Sequence, residues 1–326
     1  MLIARVSKNV LLVITILVIL LGTCTRVQIA LSAPEGGDYG THLRAVNDLL
    51  SGINPYNWTV KTFQDLANDP GNKGYAYFPG IMYTNSLLFL LHLFLRFNLG
   101  IYMSLPFLFQ LPGIIATIFV GIFFIKFFYR RNNFAMLFCT LLWVYDPYLI
   151  SRKLDICYDA VTIALLVWGL YFLEKDDVLS ALLFALGVIF KTFPLIAIFV
   201  FLLKTKNRFK FIAAGIIVFL IFSIPFFRSM EDFVTYIQGS LLVHGDRFVQ
   251  GRPFLYYIAY YYRIEFFRIV PFKFYSVSSI VTGWMWPFLL RIKGFVTDKY
   301  TQTIFPFLSF YILAPVLNRT YLVWAI

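Results

Sequence analysis

Apolar stretches recur along this chain at 10–31, 103–125, 134–151, 159–173, 178–190, 193–203, 211–227, 278–294 and 302–317, separated by short polar or basic breaks. A helix needs about 20 mostly apolar residues to cross a bilayer, and in lipid the backbone must satisfy its own hydrogen bonds. The pattern predicts an all-α polytopic membrane protein with about 9–10 transmembrane helices. No internal repeat or composition break divides the chain, so residues 1–326 read as a single domain. The first run follows Arg5 and Lys8 and has no small-residue cleavage site behind it, so it reads as an uncleaved helix.

Basic clusters set the orientation. Arg5/Lys8, Lys126/Arg130/Arg131, Lys204/Lys206/Arg208/Lys210 and Arg291/Lys293 flank apolar runs and are expected on the cytoplasmic face. The loops 34–79, 151–158 and 228–276 then face outward. Residues 81–97 resist this scheme, because a further crossing there would put Lys126–Arg131 outside. Asn85, Ser86 and His92 interrupt that run, which reads as a re-entrant or interfacial helix.

The pair 178–190 and 193–203 must leave and return to one face within 26 residues. At 1.5 Å per residue neither half reaches the far side. The turn Phe190-Lys191-Thr192-Phe193-Pro194 is therefore expected at membrane depth, opening into a cavity.

Charge changes the picture next. Only 13% of the residues are charged, against about 25% in soluble domains. The net charge of +12 sits mostly in the clusters flanking apolar runs and does not argue for nucleic acid. Cys24, Cys139 and Cys157 have no metal-ligand or CxxC spacing and read as packing residues.

Polar residues concentrate in the island 34–79, far longer than a plain connector. Within it Asp38 lies in Gly36-Gly37-Asp38-Tyr39-Gly40, where glycines permit close approach of a bulky substrate. Asp38 also suits the N-cap of a short amphipathic helix built on Leu43, Val46, Leu49 and Leu50. On the same expected face come Arg152, Asp155 and Asp159. Lys191, at the membrane-depth turn, is a functional candidate by its location, or a lysine snorkelling to the interface. Unpaired, it would cost about 2.5–3.5 kcal/mol at the bilayer centre. His244 and Arg247 flank a tight turn and suit a phosphate, which Arg binds as a fork and His can protonate. Carboxylates and cations on one face fit a lipid-phosphate donor that reacts at the membrane surface.

The motifs carry a resemblance. Leu49-Leu50-Ser51-Gly52-Ile53-Asn54-Pro55-Tyr56, then Tyr75-Ala76-Tyr77-Phe78-Pro79-Gly80, following an acidic residue in the first external loop, resembles the GT-C glycosyltransferases. Lys191-Thr192-Phe193-Pro194-Leu195, His244 with Arg247, and Tyr321-Leu322-Val323-Trp324 are similar to motifs of the polyprenyl-phosphate-mannose-dependent mannosyltransferases, a family-87-like group.

The resemblance implies a GT-C bundle and inverting transfer of a hexose, mannose first, from a polyprenyl phosphate to an acceptor hydroxyl on a glycolipid or glycan. Asp38 would be the general base. Lys191, His244 and Arg247 would bind the donor phosphate. Tyr39, His42, Tyr56, Tyr77, Arg152, Asp155 and Asp159 would bind the acceptor or support the site. The first loop has one Asp rather than D-x-D, so no divalent metal is expected.

The expected location is a multi-pass cytoplasmic membrane protein with its site outward. Because the chain stops at Trp324-Ala325-Ile326 where another span would begin, a truncated C-terminus is also expected. The alternatives are a transporter or flippase of lipid-linked substrates, or a non-catalytic subunit of a glycan-assembly complex. Transporters commonly carry inverted repeats, and none is visible here.

Overall fold

The apolar runs fold as helices, and their ends are written in polar side chains. In the computed structural model, the described residues are 7–32, 38–64, 74–147, 149–150, 154–245, 250–251, 253–254, 258, 261, 272–294, 298–314 and 316–317. The helices are α1 (Lys8–Leu31), α2 (Tyr39–Leu50), α3 (Tyr56–Gln64), α4 (Gly80–Asn98), α5 (Leu105–Phe128), α6 (Asn133–Val144) and α7 (Leu154–Phe172). After these come α8 (Asp177–Phe190), α9 (Ile198–Lys204), α10 (Arg208–Ser223), α11 (Met230–Ser240), α12 (Phe272–Ile292) and α13 (Lys299–Leu313). Asn132, Asp176, Asn207, Ser229 and Asp298 each accept a backbone N–H of the first turn they precede. A two-residue parallel pairing joins β1 (Gln250–Gly251) to β2 (Val316–Leu317). The protein is an all-α polytopic membrane protein, in which α1, α4, α5 and Arg208–Phe226 are long and apolar enough to cross a membrane.

Contacts between helices give their directions. Tyr129, just past α5, donates to Asn9 near the start of α1 at 3.5 Å. At the other end Phe107 and Leu108 of α5 pack on Ala30 of α1. The two helices are therefore antiparallel. Helix α6 runs parallel to α1, held by Arg26, whose guanidinium donates to the carbonyls of Val144 at 2.9 Å and of Trp143 and Leu149 at 3.2 Å each. That buried cation satisfies carbonyls at the helix C-terminus, where the backbone dipole is negative.

Helices α7 and α8 are antiparallel: Ser180 donates to the Gly169 carbonyl at one end, and Lys191 meets Asp159 at the other. The out-and-back hairpin is present. Thr205, just past α9, donates to Asp177 at the start of α8 at 2.6 Å, so both feet stand at one end. Lys191 is the apex. It ends α8 in extended conformation, and a 3₁₀ turn Phe193–Ala197 with Pro194 near its start leads into α9.

These directions gather the clusters Lys126–Arg131 and Lys204–Lys210 with Lys175 and Lys299 at one end, called the basic end. The end of α1, the start of α5 and the apex of the hairpin lie at the other. Since α1 leaves and α5 returns at the same end, the segment between them does not cross. Although long enough to span, α4 stays there. Its Leu88 packs with Val27 and Met103, and its His92 Nδ1 pairs with the Met103 carbonyl at 2.8 Å. Its neighbours at both ends thus belong to this end of the bundle, as a re-entrant or interfacial helix at 81–97 would require.

Candidate functional site

The first site element is the turn into α2. Asp38 occupies the N-cap position, and its carbonyl accepts from His42 N at 2.9 Å, but its carboxylate makes no capping bond. Instead Asp38 Oδ2 accepts from the Tyr77 hydroxyl at 3.2 Å. The capping role open in the sequence is thus unused by the side chain.

Tyr77 is fixed from three sides. The buried Tyr56 hydroxyl donates to the Tyr77 carbonyl at 2.8 Å. The Tyr77 ring lies stacked on His42, with centroids 6.0 Å apart and planes inclined by 17°. Lys191 Nζ stands 5.4 Å from the Tyr77 ring centroid. Two glycines hold the strap 74–80 that carries this tyrosine. Any Cβ at Gly80 would lie 2.7 Å from the Ile189 carbonyl oxygen, and Gly74 presses on Thr59 too closely for any side chain.

His42 is buried against Tyr75, Tyr77 and Tyr158. Among the described residues its Nδ1 finds no hydrogen-bond partner. Burial lowers its pKa from 6.5 to about 4; Asp38 opposes this shift and Lys191 adds to it. His42 is therefore neutral near pH 7.

At the apex Lys191 Nζ lies 2.9 Å from Asp159 Oδ2, with the lysine side chain 10% and the aspartate 0% exposed. This changes the reading of Lys191. A lysine at depth needs a compensating anion, and Asp159 supplies it within the chain. Beside the pair Tyr158 donates to the Asn85 side-chain carbonyl and lies 3.3 Å from the Phe109 carbonyl.

The structure thus brings together Asp38, His42, Tyr77, Asp159 and Lys191 from four separate segments. Tyr39 and Tyr56 are core residues: Tyr39 packs on Phe109, and Tyr56 supports Tyr77 from beneath. Arg152 and Arg247 lie outside the described residues. Asp155 lies on the backbone of α7 and His244 on a 3₁₀ turn (Leu242–Gly245), and their side chains are outside the description.

Sequence reasoning passed over Tyr158 and Arg26, although a lone arginine inside the first span was visible. Asn85 was read as a break in an apolar run, whereas here it is buried and accepts from Tyr158. Among the described residues no group of three or more His, Cys, Asp or Glu side chains is placed to hold a metal ion.

The cluster pairs an available carboxylate with an oriented phenol and a buried cation, an arrangement suited to accepting a proton beside a developing negative charge. Residues 157–292 match the model of glycosyltransferase family 87. The matched segment holds Asp159, Lys191 and the whole hairpin, while Asp38, His42 and Tyr77 precede it. No curated protein and no solved structure matches the chain. Together with the membrane-length helices, the match supports a membrane glycosyltransferase.

Proposed function

We propose that this protein transfers a hexose, mannose in the first instance, from a polyprenyl phosphate to a hydroxyl of a glycolipid or glycan at the outer face of the cytoplasmic membrane. The observation that carries this reading is the Asp38 carboxylate, which leaves its capping position unused and accepts from Tyr77, whose ring lies 5.4 Å from the ammonium of the Lys191–Asp159 pair. In the proposed reaction the acceptor O–H gives its proton to Asp38 as the oxygen attacks the anomeric carbon. The bond from that carbon to the donor phosphate breaks with inversion, through an oxocarbenium-like transition state.

The phosphate leaves with its electron pair and develops negative charge. Lys191 is the proposed cation for that charge, its ammonium oriented by Asp159. His244 and Arg247 are the further proposed phosphate contacts. Arg152 and Asp155 are proposed to support the acceptor, and no divalent metal is required.

The test is turnover by the purified protein in detergent or nanodiscs, with labelled polyprenyl-phosphate mannose and a glycolipid acceptor. Mannosylated product of inverted anomeric configuration, lost in Asp38→Asn, is expected. Transfer from a sugar nucleotide alone, or full activity of Asp38→Asn, would overturn the reading.

A further inference from the structure

At the basic end, opposite the Asp38 cluster, aromatic rings from three helices form one platform. Phe127 of α5 and Tyr300 of α13 have centroids 4.7 Å apart, and Phe123 joins them to Tyr171 of α7 at 6.1 Å and 6.4 Å. Three cations rest on it. Arg131 Cζ is 4.2 Å from the Phe127 centroid, Lys175 Nζ is 3.3 Å from that of Tyr171, and Lys299 Nζ is 5.6 Å from that of Tyr300. Lys126 acts on the same Tyr171, and Lys204 on Lys299.

A ring attracts a cation through its quadrupole and orders it, yet leaves the full positive charge in place. Three of the nearby acids already make local bonds. Asp176 caps α8, Asp298 caps α13, and Asp177 holds Thr205 with the backbone of Lys206 and Asn207. Among the described residues the acid paired with the platform is Glu174, 3.3 Å from Lys299 and 52% exposed. The rings orient the cations without neutralising them, and Arg131, Lys175 and Lys299 with Lys126 and Lys204 outnumber the two acids that act at Tyr300, Glu174 and Asp298, which suits an anion.

We propose that this platform binds the phosphate of an anionic phospholipid. The second observation that favours a lipid is the surface leading to it. Ile115, Phe119 and Ile122 are exposed on α5 and, with exposed Lys126, follow one another at helical spacing on a single stripe. Acyl chains lying on that stripe bring their headgroup to Lys126 and the ring-bound cations. A soluble anion has no use for the stripe. Basic pockets between helix ends suit anionic headgroups in this way.

The experiment uses the full-length protein in neutral detergent. Thermal unfolding is followed with added phosphatidylglycerol, phosphatidylcholine or glycerol 3-phosphate, and lipid retained by the protein is counted by native mass spectrometry. Stabilisation and retention are expected with phosphatidylglycerol only, and half-molar salt should weaken both. Arg131→Gln/Lys175→Gln should reduce phosphatidylglycerol affinity roughly fivefold for each charge removed, whereas Lys210→Gln, exposed at the same end but off the platform, should not. If the double variant fails to fold, the salt dependence and the lipid comparison on the wild type still decide. Equal effects of the two phospholipids, or undiminished binding in a folded double variant, would overturn the proposal. So would glycerol 3-phosphate acting as well as the lipid, since that marks a site for soluble anions.

Discussion

Lys191 and Asp159 form a buried ion pair 2.9 Å long that joins the apex of the α8–α9 hairpin to the first turns of α7. From sequence alone, removing a lysine at membrane depth should stabilise the bundle. The pair reverses that expectation. Deleting one partner of a buried pair removes the compensation it gave the other charge, at a cost of about 3–5 kcal/mol. Lys191→Met should therefore lower the unfolding temperature sharply, and Asp159→Asn/Lys191→Met should regain most of the loss. Both variants should be inactive if Lys191 meets the donor phosphate. A single Lys191→Met protein as stable as wild type would show that the pair does not hold the apex.

How much was legible follows from particular residues. The hairpin was readable because 26 residues between two feet at the basic end cannot cross twice, and Lys191 fell at its apex by arithmetic. Its partner was not readable. Asp159 lies 32 positions earlier, and which face of α7 meets α8 depends on packing such as Gly187 against Leu165 and Pro194. Asp38 was legible as a candidate but ambiguous, since N-cap and site residue share one sequence pattern. The choice is made by a rotamer that turns toward Tyr77, a residue that a distant tyrosine, Tyr56, holds in place. The order of the long apolar helices was readable from hydropathy, whereas α3 and α11, which fall inside the stretches read as the loops 34–79 and 228–276, and the side-chain partners across helices were not.

Asp38→Asn should keep the fold, because the carboxylate makes no capping bond that the amide would lose. Transfer should fall by about 10²–10⁴-fold, the usual contribution of a positioned base. Initial rates with the labelled donor check this, and retention of more than a tenth of wild-type activity would remove Asp38 from the role.

Tyr77→Phe deletes one hydroxyl and leaves the ring stacked on His42 and facing Lys191. Expected is a fall in kcat of roughly tenfold, about 1.4 kcal/mol, with a much smaller change in acceptor KM. Tyr77→Ala should cost more, because the ring itself separates His42 from Lys191. A KM effect without a kcat effect in Tyr77→Phe would mean that the hydroxyl binds acceptor rather than orienting Asp38.

His42 gives a pH signature. Its pKa is about 4 when folded and 6.5 as a free side chain, so between these values the unfolded chain holds more protons. Stability then rises with pH across that window and is lost as pH falls from 6.5 toward 4. The difference amounts to on the order of 3 kcal/mol when integrated over the window. Asp38 and Lys191 also act on the imidazole, so the useful measurement is a difference. Unfolding temperature from pH 7 to 4.5 should drop more steeply for wild type than for His42→Gln. Parallel curves would show that another group titrates.

The two ends of α5 test the orientation that the proposed reaction needs. Helix α5 has 24 residues, about 36 Å at 1.5 Å per residue, so its flanks stand on opposite sides of a bilayer. With Cys24, Cys139 and Cys157 replaced, a cysteine at Leu99 should react in intact cells with an impermeant thiol reagent. A cysteine at Asn132 should react only after the cells are opened. Because α1 and α5 share an end with Asp38, labelling at position 99 reports the side of the site itself. The opposite pattern would place Asp38 and Lys191 toward the cytoplasm, where sugar nucleotides are available. The proposed polyprenyl-phosphate donor would then lose its main support, even with the bundle and its buried ion pair unchanged.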